Sequence, residues 1–336
     1  MLIRFPERLS TQAALGFAAK LREVPDGEDC DIDFSGLRWI EPLSALIASS
    51  EISRQKSLRR FNALRVRSVP VGSYANNFGF FQSFLGSSPR LGKVGEGSGS
   101  YAPIKVFLAE DVRRMADQQG VETGEVMEQL ADELASILCQ GSNEDVHETL
   151  TYSMREIMRN VIEHSQADRV ATCAQYWPAR GEVEVAAMDW GIGIAQGLRE
   201  NPKLKFESDL DALHLALLPG VSGKAEKVKR MRSRSPWTNS GYGLYMTSSL
   251  CRRGGSFLIG SGSSAISVSG TDVVPMRWGI PGTAIRLRMQ LSNLKPLGEQ
   301  LEKFRSEAHA LKQAHTAIDF LTASMASRAL LLSRKR

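Results

Sequence analysis

The chain has 336 residues, 42% hydrophobic and 24% charged, with a net charge of +5. No apolar run approaches the ~20 residues that span a bilayer, so a membrane-embedded protein is not expected, and the length exceeds what one hydrophobic core usually serves. The excess charge is modest and largely local, so by itself it does not indicate nucleic acid.

The opening "MLIRFPERLS" has neither an apolar h-region nor a small-residue cleavage site, which predicts a cytoplasmic chain. Cys30, Cys139, Cys173 and Cys251 are too scattered for a zinc site or a disulfide framework and read as core residues.

Residues 1–85 read as a small α/β unit. "LIRF" predicts a strand, and "STQAALGFAAKLREV" a helix with Ser10 as N-cap. "CDIDF" predicts a second strand, and a second helix is expected from Pro42, because proline suits a first helical turn. "ALRVRSV" reads as a third strand, and "NNFGFFQSFLG" as an aromatic cluster beneath the sheet. Residues 86–102, dense in Gly and Ser, read as a linker.

Residues 103–292 form the expected second domain. Helices are predicted at "AEDVRRMADQQG", "GEVMEQLADELASILCQ" and "DVHETLTYSMREIMRNVIEHSQAD", followed by strands at "VATCAQYW" and "EVEVAAMDW". Residues 198–240 are irregular in composition and predict a long mobile loop, within which "KAEKVKRMRSRS" is strongly basic. "GYGLYMTSSLCRRGG" returns to helix, and "SFLIGSG" and "TAIRLRMQL" complete a sheet. In the C-terminal extension, residues 293–336, Leu301, Phe304, Ala308, Leu311 and Ile318 approximate a heptad spacing, which predicts a long helix able to pack on a second copy.

Helical residues four apart lie within about 40° of one another, so Glu156, Asn160 and His164 form one stripe. Met154, Ile157, Met158, Val161 and Ile162 occupy the adjoining face. Alone, the stripe reads sooner as a solvated face of an amphipathic helix than as a site. "DWGIGI" adds Asp189 at a strand end followed by Gly191 and Gly193, where the backbone can approach a base or phosphate. "SGYGLYMT" repeats the device at Gly241 and Gly243, ahead of Leu244 and a helix whose first amides could hold a phosphate. Each Gly pair also fits an ordinary strand-to-helix turn. No G-x-x-x-x-G-K-[ST] occurs and neither pair completes G-x-G-x-x-G, which removes the P-loop and dinucleotide patterns; "HETLTYS" is not a zinc-protease motif.

The ordered set E-x-x-x-N-x-x-x-H, D-x-G-x-G, a basic loop, G-x-G-L and "PGTAIRL" resembles the GHKL ATPases, the Bergerat-fold group that includes gyrase, mismatch-repair ATPases, histidine kinases and anti-sigma-factor serine kinases. The resemblance implies an α/β sandwich, a mixed sheet covered by helices on one face. It also implies ATP and Mg²⁺ as ligands. Asn160 would supply an oxygen to Mg²⁺, Glu156 would orient or deprotonate the attacking hydroxyl or water, and Asp189 would accept the adenine amino hydrogen. Thr283 would support that contact through water, while Gly191, Gly193, Gly241 and Gly243 would border base and lid. Within the lid, Lys224, Lys227, Lys229, Arg230, Arg232 and Arg234 either include one γ-phosphate ligand, with Lys224 the choice after "GVSG", or form a solvated charge run. His164 divides between a phosphate-side contact and a helix-end residue.

Residues 1–85 resemble, less specifically, the STAS domains of anti-sigma antagonists. The family's phospho-acceptor position falls on Leu43, with Ser44 beside it, so a protein-binding or structural role is expected there. Together these features predict a regulatory ATPase or serine/threonine kinase of the anti-sigma type acting on a partner protein. The alternative is a non-catalytic ATP-gated assembly module that dimerises through its terminal helix. His147 lies too close to Asn160 to be a histidine-kinase phospho-acceptor. Nucleic-acid binding through the basic loop rests on charge alone.

Overall fold

A computed structural model describes residues 1–97, 100–139, 144–223, 242–252, 254–315 and 321–322, without the side chains of 162–164, 311–315 and 321–322. The fold is α/β. It begins with β1 (Leu2–Arg4), β2 (Arg8–Leu9), α1 (Thr11–Glu23), β3 (Asp29–Asp33), β4 (Trp39–Ile40), α2 (Pro42–Ser57) and β5 (Ala63–Arg67). The strands β1, β3 and β5 form a parallel sheet in the order β1-β3-β5, and β2 pairs with β4. Ser10 caps α1 through the Ala13 N–H, as the sequence predicts. The short helices α3 (Tyr74–Asn77) and α4 (Gln82–Leu85) bracket the phenylalanine cluster. Phe5 and Phe34 pack with centroids 4.4 Å apart, and Phe81 meets Phe34 edge-on at 5.1 Å.

The segment read as a linker is held to this unit. Leu91 is buried, its carbonyl accepts from Asn76 Nδ2 at 2.8 Å, and Gly95 N–H donates to the Asn77 carbonyl. Its last two residues already belong to a strand that composition did not reveal, β6 (Tyr101–Leu108).

The remaining chain runs through α5 (Ala109–Gln119), α6 (Thr123–Leu138), α7 (Glu144–His164), β7 (Arg169–Trp177), β8 (Glu182–Asp189), α8 (Gly193–Leu198), β9 (Leu204–Lys205) and α9 (Asp209–Ala216). It continues with α10 (Gly243–Arg252), β10 (Gly255–Ser269), β11 (Asp272–Gln290), α11 (Leu297–His315) and β12 (Leu321–Thr322). A five-stranded sheet has the order β10-β11-β8-β7-β6, and every pair in it is antiparallel, where the sequence predicts a mixed sheet. Parallel pairing is confined to the short sheets. The expected irregular stretch after residue 198 holds two regular elements, β9 and α9: Ser208 and Asp211 form a reciprocal capping box that starts α9.

Both faces of the large sheet are covered, where one is expected. Val183, Val185 and Ala187 of β8 face α6 and α7, while Ala186 and Met188 face α2 and the phenylalanine cluster. Twelve of the sixteen residues of α2 are buried, because α1 covers one side and the large sheet another. Small side chains, Ala45, Ala48, Ser49 and Ser50 among them, permit that close packing.

A polar cluster fastens this contact. Glu184 is fully buried on β8; its Oε1 accepts the Leu43 N–H at 3.2 Å, and Oε2 accepts from Arg288 Nε at 3.0 Å. Burial pushes the Glu184 carboxyl above its ordinary range, and the Arg288 guanidinium pulls against that. At the far end of the contact, Trp190 Nε1 donates to Ser50 Oγ at 2.8 Å. Ser44 is fully buried and its Oγ has no partner among the described residues, so the hydroxyl beside Leu43 is closed to solvent.

Phe304 and Ala308 of α11 bury within the chain against Tyr245, Met246 and Leu250 of α10. Two residues of the predicted dimer seam are thereby engaged internally. The Leu311 side chain and Ile318 lie outside the described residues. All four cysteines are buried and free.

Candidate functional site

A cleft opens between α7, the end of β8, the α8–α9 segment and the start of α10. About 900 Å³ of space lies within it, the open solvent at its mouth included. Its walls include Asn160, Asp189, Gly193, Gly243, Leu244 and Thr283, residues chosen from scattered sequence positions.

Asp189 ends β8 with 2% of its surface exposed. Its Oδ1 accepts from the Gly191 N–H at 2.7 Å and the Thr283 N–H at 3.3 Å. Burial raises its carboxyl to about 6, and the Gly191 and Thr283 hydrogen bonds restrain the rise. Thr283 therefore supports Asp189 directly. The side chain stays an acceptor at neutral pH, suited to a ligand's N–H.

Gly191 serves a purpose other than approach to a ligand. A methyl group there would stand 2.0 Å from the Ser165 carbonyl oxygen, so the glycine lets the loop after β8 close against the end of α7. The adjacent Ile192 N–H donates to the same carbonyl at 2.8 Å. Gly193, at φ +77°, does border the cleft and opens α8.

Asn160 projects from α7 into the cleft, and its Nδ2 is buried without a hydrogen-bond partner among the described residues. An orphaned amide in a native site marks a place where a ligand completes the bonding. Glu156, one turn earlier, is not among the lining residues. It is 4% exposed and pairs with Arg155 at 3.0 Å and Arg159 at 3.1 Å. Its Oε2 lies so close to Gly243 that a Cβ there would come within 2.3 Å, which explains the glycine at the start of α10.

Lys224 and Gly241 lie outside the described residues, as do Lys227, Lys229, Arg230, Arg232, Arg234 and the His164 side chain. The sequence reading missed Arg159, which lines the cleft beside Asn160, and Ser165, whose carbonyl fixes the loop after β8. It also missed Gly197, and Val221, Ser222 and Gly223, which wall the cleft from the stretch read as a loop. Arg159 was legible in principle, since it adjoins Asn160 on the helix; the others depend on how the chain returns.

Among the described residues, no group of three His, Cys, Asp or Glu side chains could hold a metal by itself. Comparison with protein-family models, curated proteins and solved structures finds no match to this chain.

Proposed function

We propose that the chain binds ATP with Mg²⁺ in this cleft and either hydrolyses it or transfers its terminal phosphate to a partner protein. The observation that carries the reading is the buried Asp189 carboxylate, held by the Gly191 and Thr283 amides in a cleft whose opposite wall presents the unpartnered Asn160 amide. An acceptor for the adenine amino group and a polar group toward the phosphates are what the GHKL resemblance implies at these positions. The packing of α6 and α7 across one face of the large sheet supports it too.

The orphaned Asn160 Nδ2 is a donor that suits a phosphate oxygen, and the amide oxygen beside it would be the ligand offered to Mg²⁺. That ion keeps several waters and takes oxygens from substrate phosphates, so one amide oxygen from Asn160 is an adequate protein contribution. When bound, it would neutralise charge on the phosphate chain. Glu156 would take the proton from the attacking water or hydroxyl. Such a protein is read as cytoplasmic; among the described residues no helix is long and apolar enough to cross a membrane.

One observation favours a second reading, an ATP-gated assembly module without rapid turnover. Glu156 is tied by two guanidinium groups, so the base is engaged rather than free. Incubation with radiolabelled ATP and Mg²⁺, with and without the products of neighbouring genes, separates the readings by following free phosphate and labelled protein. Label on a partner decides for a kinase. The Glu156→Gln protein should bind ATP yet turn it over roughly 100-fold more slowly, the scale of a lost general base. Unchanged turnover would remove Glu156 from the mechanism.

The Asp189 carboxyl also sets a pH dependence. Its ionised form is the stronger acceptor for the adenine amino hydrogen, and that form is lost as pH falls through about 6. ATP affinity should therefore be level above pH 7 and about tenfold weaker at pH 5. A flat titration over that interval would contradict the assignment.

A further inference from the structure

Arg159 carries chemistry that the roles above leave unused. It is 7% exposed, lines the cleft beside Asn160, and its Nε is buried with no hydrogen-bond partner. Among the described residues its ion pair is with Glu156 Oε2, at 3.1 Å. A guanidinium offers five N–H donors in a rigid fork suited to carboxylate or phosphate, and a single carboxylate oxygen leaves most of that fork unsatisfied. Donors buried without acceptors are costly unless an anion enters.

Glu156 does not depend on Arg159 alone. Arg155 Nη2 donates to its other oxygen at 3.0 Å, so the carboxylate keeps a partner if Arg159 turns away. Two adjacent residues of α7, Arg159 and Asn160, thus bring unpartnered N–H groups to the same cleft.

We propose that Arg159 is the phosphate-binding cation of this cleft, exchanging Glu156 Oε2 for the phosphate chain of a nucleoside polyphosphate. The inference rests on the nucleotide reading above and extends it: the ligand's phosphate frees the Glu156 oxygen that faces Gly243. Arg159 is then a positioning residue for Glu156 as well as a ligand contact. Entry of a polyphosphate is the event that releases the base, and a nucleoside lacking phosphates leaves the Arg159–Glu156 pair closed.

The test is calorimetric titration of the full chain with ATP, ADP and adenosine in Mg²⁺, for wild type, Arg159→Met, Arg159→Lys and Glu156→Gln. Arg159→Met should weaken ATP by roughly 10- to 100-fold, the scale of a charge-assisted hydrogen bond, and leave adenosine within about twofold. Arg159→Lys should recover part of the loss. Glu156→Gln should tighten ATP several-fold only while Arg159 is present, because the competing carboxylate is gone. Unchanged adenosine affinity certifies that each variant is folded. Equal losses for ATP and adenosine, or an Arg159→Met protein that binds ATP like wild type, would overturn the assignment while leaving the nucleotide reading standing. A wild-type chain that binds neither ligand removes both.

Discussion

The Asp189→Asn protein is expected to melt at a higher temperature than wild type at pH 7 and to lose most of its ATP affinity. The two effects share one cause. Asp189 is 2% exposed and its carboxyl is raised to about 6 by burial. A group whose folded value lies above its unfolded one stabilises the fold below the unfolded value, near 4, and loses that contribution as pH rises through about 6. At pH 7 the charge is therefore held at a cost of roughly 3 kcal/mol. Asparagine keeps an oxygen for the Gly191 and Thr283 amides and discards the charge. Its amino group replaces an acceptor with a donor, which should weaken ATP by roughly 100-fold through a lost hydrogen bond and an opposed one. Thermal melts without ligand and calorimetry with ATP give the two readouts. A lower melting temperature would deny the cost of the buried charge, and undiminished affinity would deny the adenine contact.

Ser44→Asp should destabilise the chain by about 4 kcal/mol, among the larger single-residue effects, because it places a carboxylate where nothing pairs with it. Ser44 is fully buried in α2, its Oγ has no partner, and the buried Glu184 carboxylate already accepts from the neighbouring Leu43 amide. A second negative group in that contact meets desolvation and like-charge repulsion together. Ser44→Ala, by contrast, removes an unsatisfied hydroxyl and should be neutral or slightly stabilising. Urea unfolding of both variants, with limited proteolysis near residues 86–97, reads the result. A Ser44→Asp protein as stable as wild type would mean that α2 leaves the sheet readily, and a phosphorylation switch at Ser44 would return to consideration.

Part of the site was legible because its residues carry their chemistry locally. Glu156 and Asn160 share a helical stripe whatever the helix packs on, and Asp189 at the end of an apolar strand followed by glycines is a chain-local pattern. Asn160, Asp189, Gly193, Gly243, Leu244 and Thr283 line one cleft. The wall from Gly197 to Gly223 was not legible. Its helix α9 is short and held by a capping box, and apart from Glu200 its cleft-facing residues are small or apolar. The packing of Gly191 was not legible for a related reason: a glycine that admits a ligand and one that admits the Ser165 carbonyl look alike in sequence.

The sequence by itself determined the local elements: Ser10 and Pro42 started helices, and "CDIDF" and "ALRVR" became parallel strands. Only the tertiary structure decided what covers them. In "EVEVAAMD" the alternation of Glu182, Val183, Glu184 and Val185 reads as one buried and one solvated face. In the fold α2 lies on the second face, so Glu184 is fully buried and held by Arg288 and the Leu43 amide, more than a hundred residues away in each direction. Side-chain period records which residues share a face. It carries no record of what packs there, because burial is a property of contacts between distant segments, and the same is true of Glu156, whose two arginine partners set whether it is free to act.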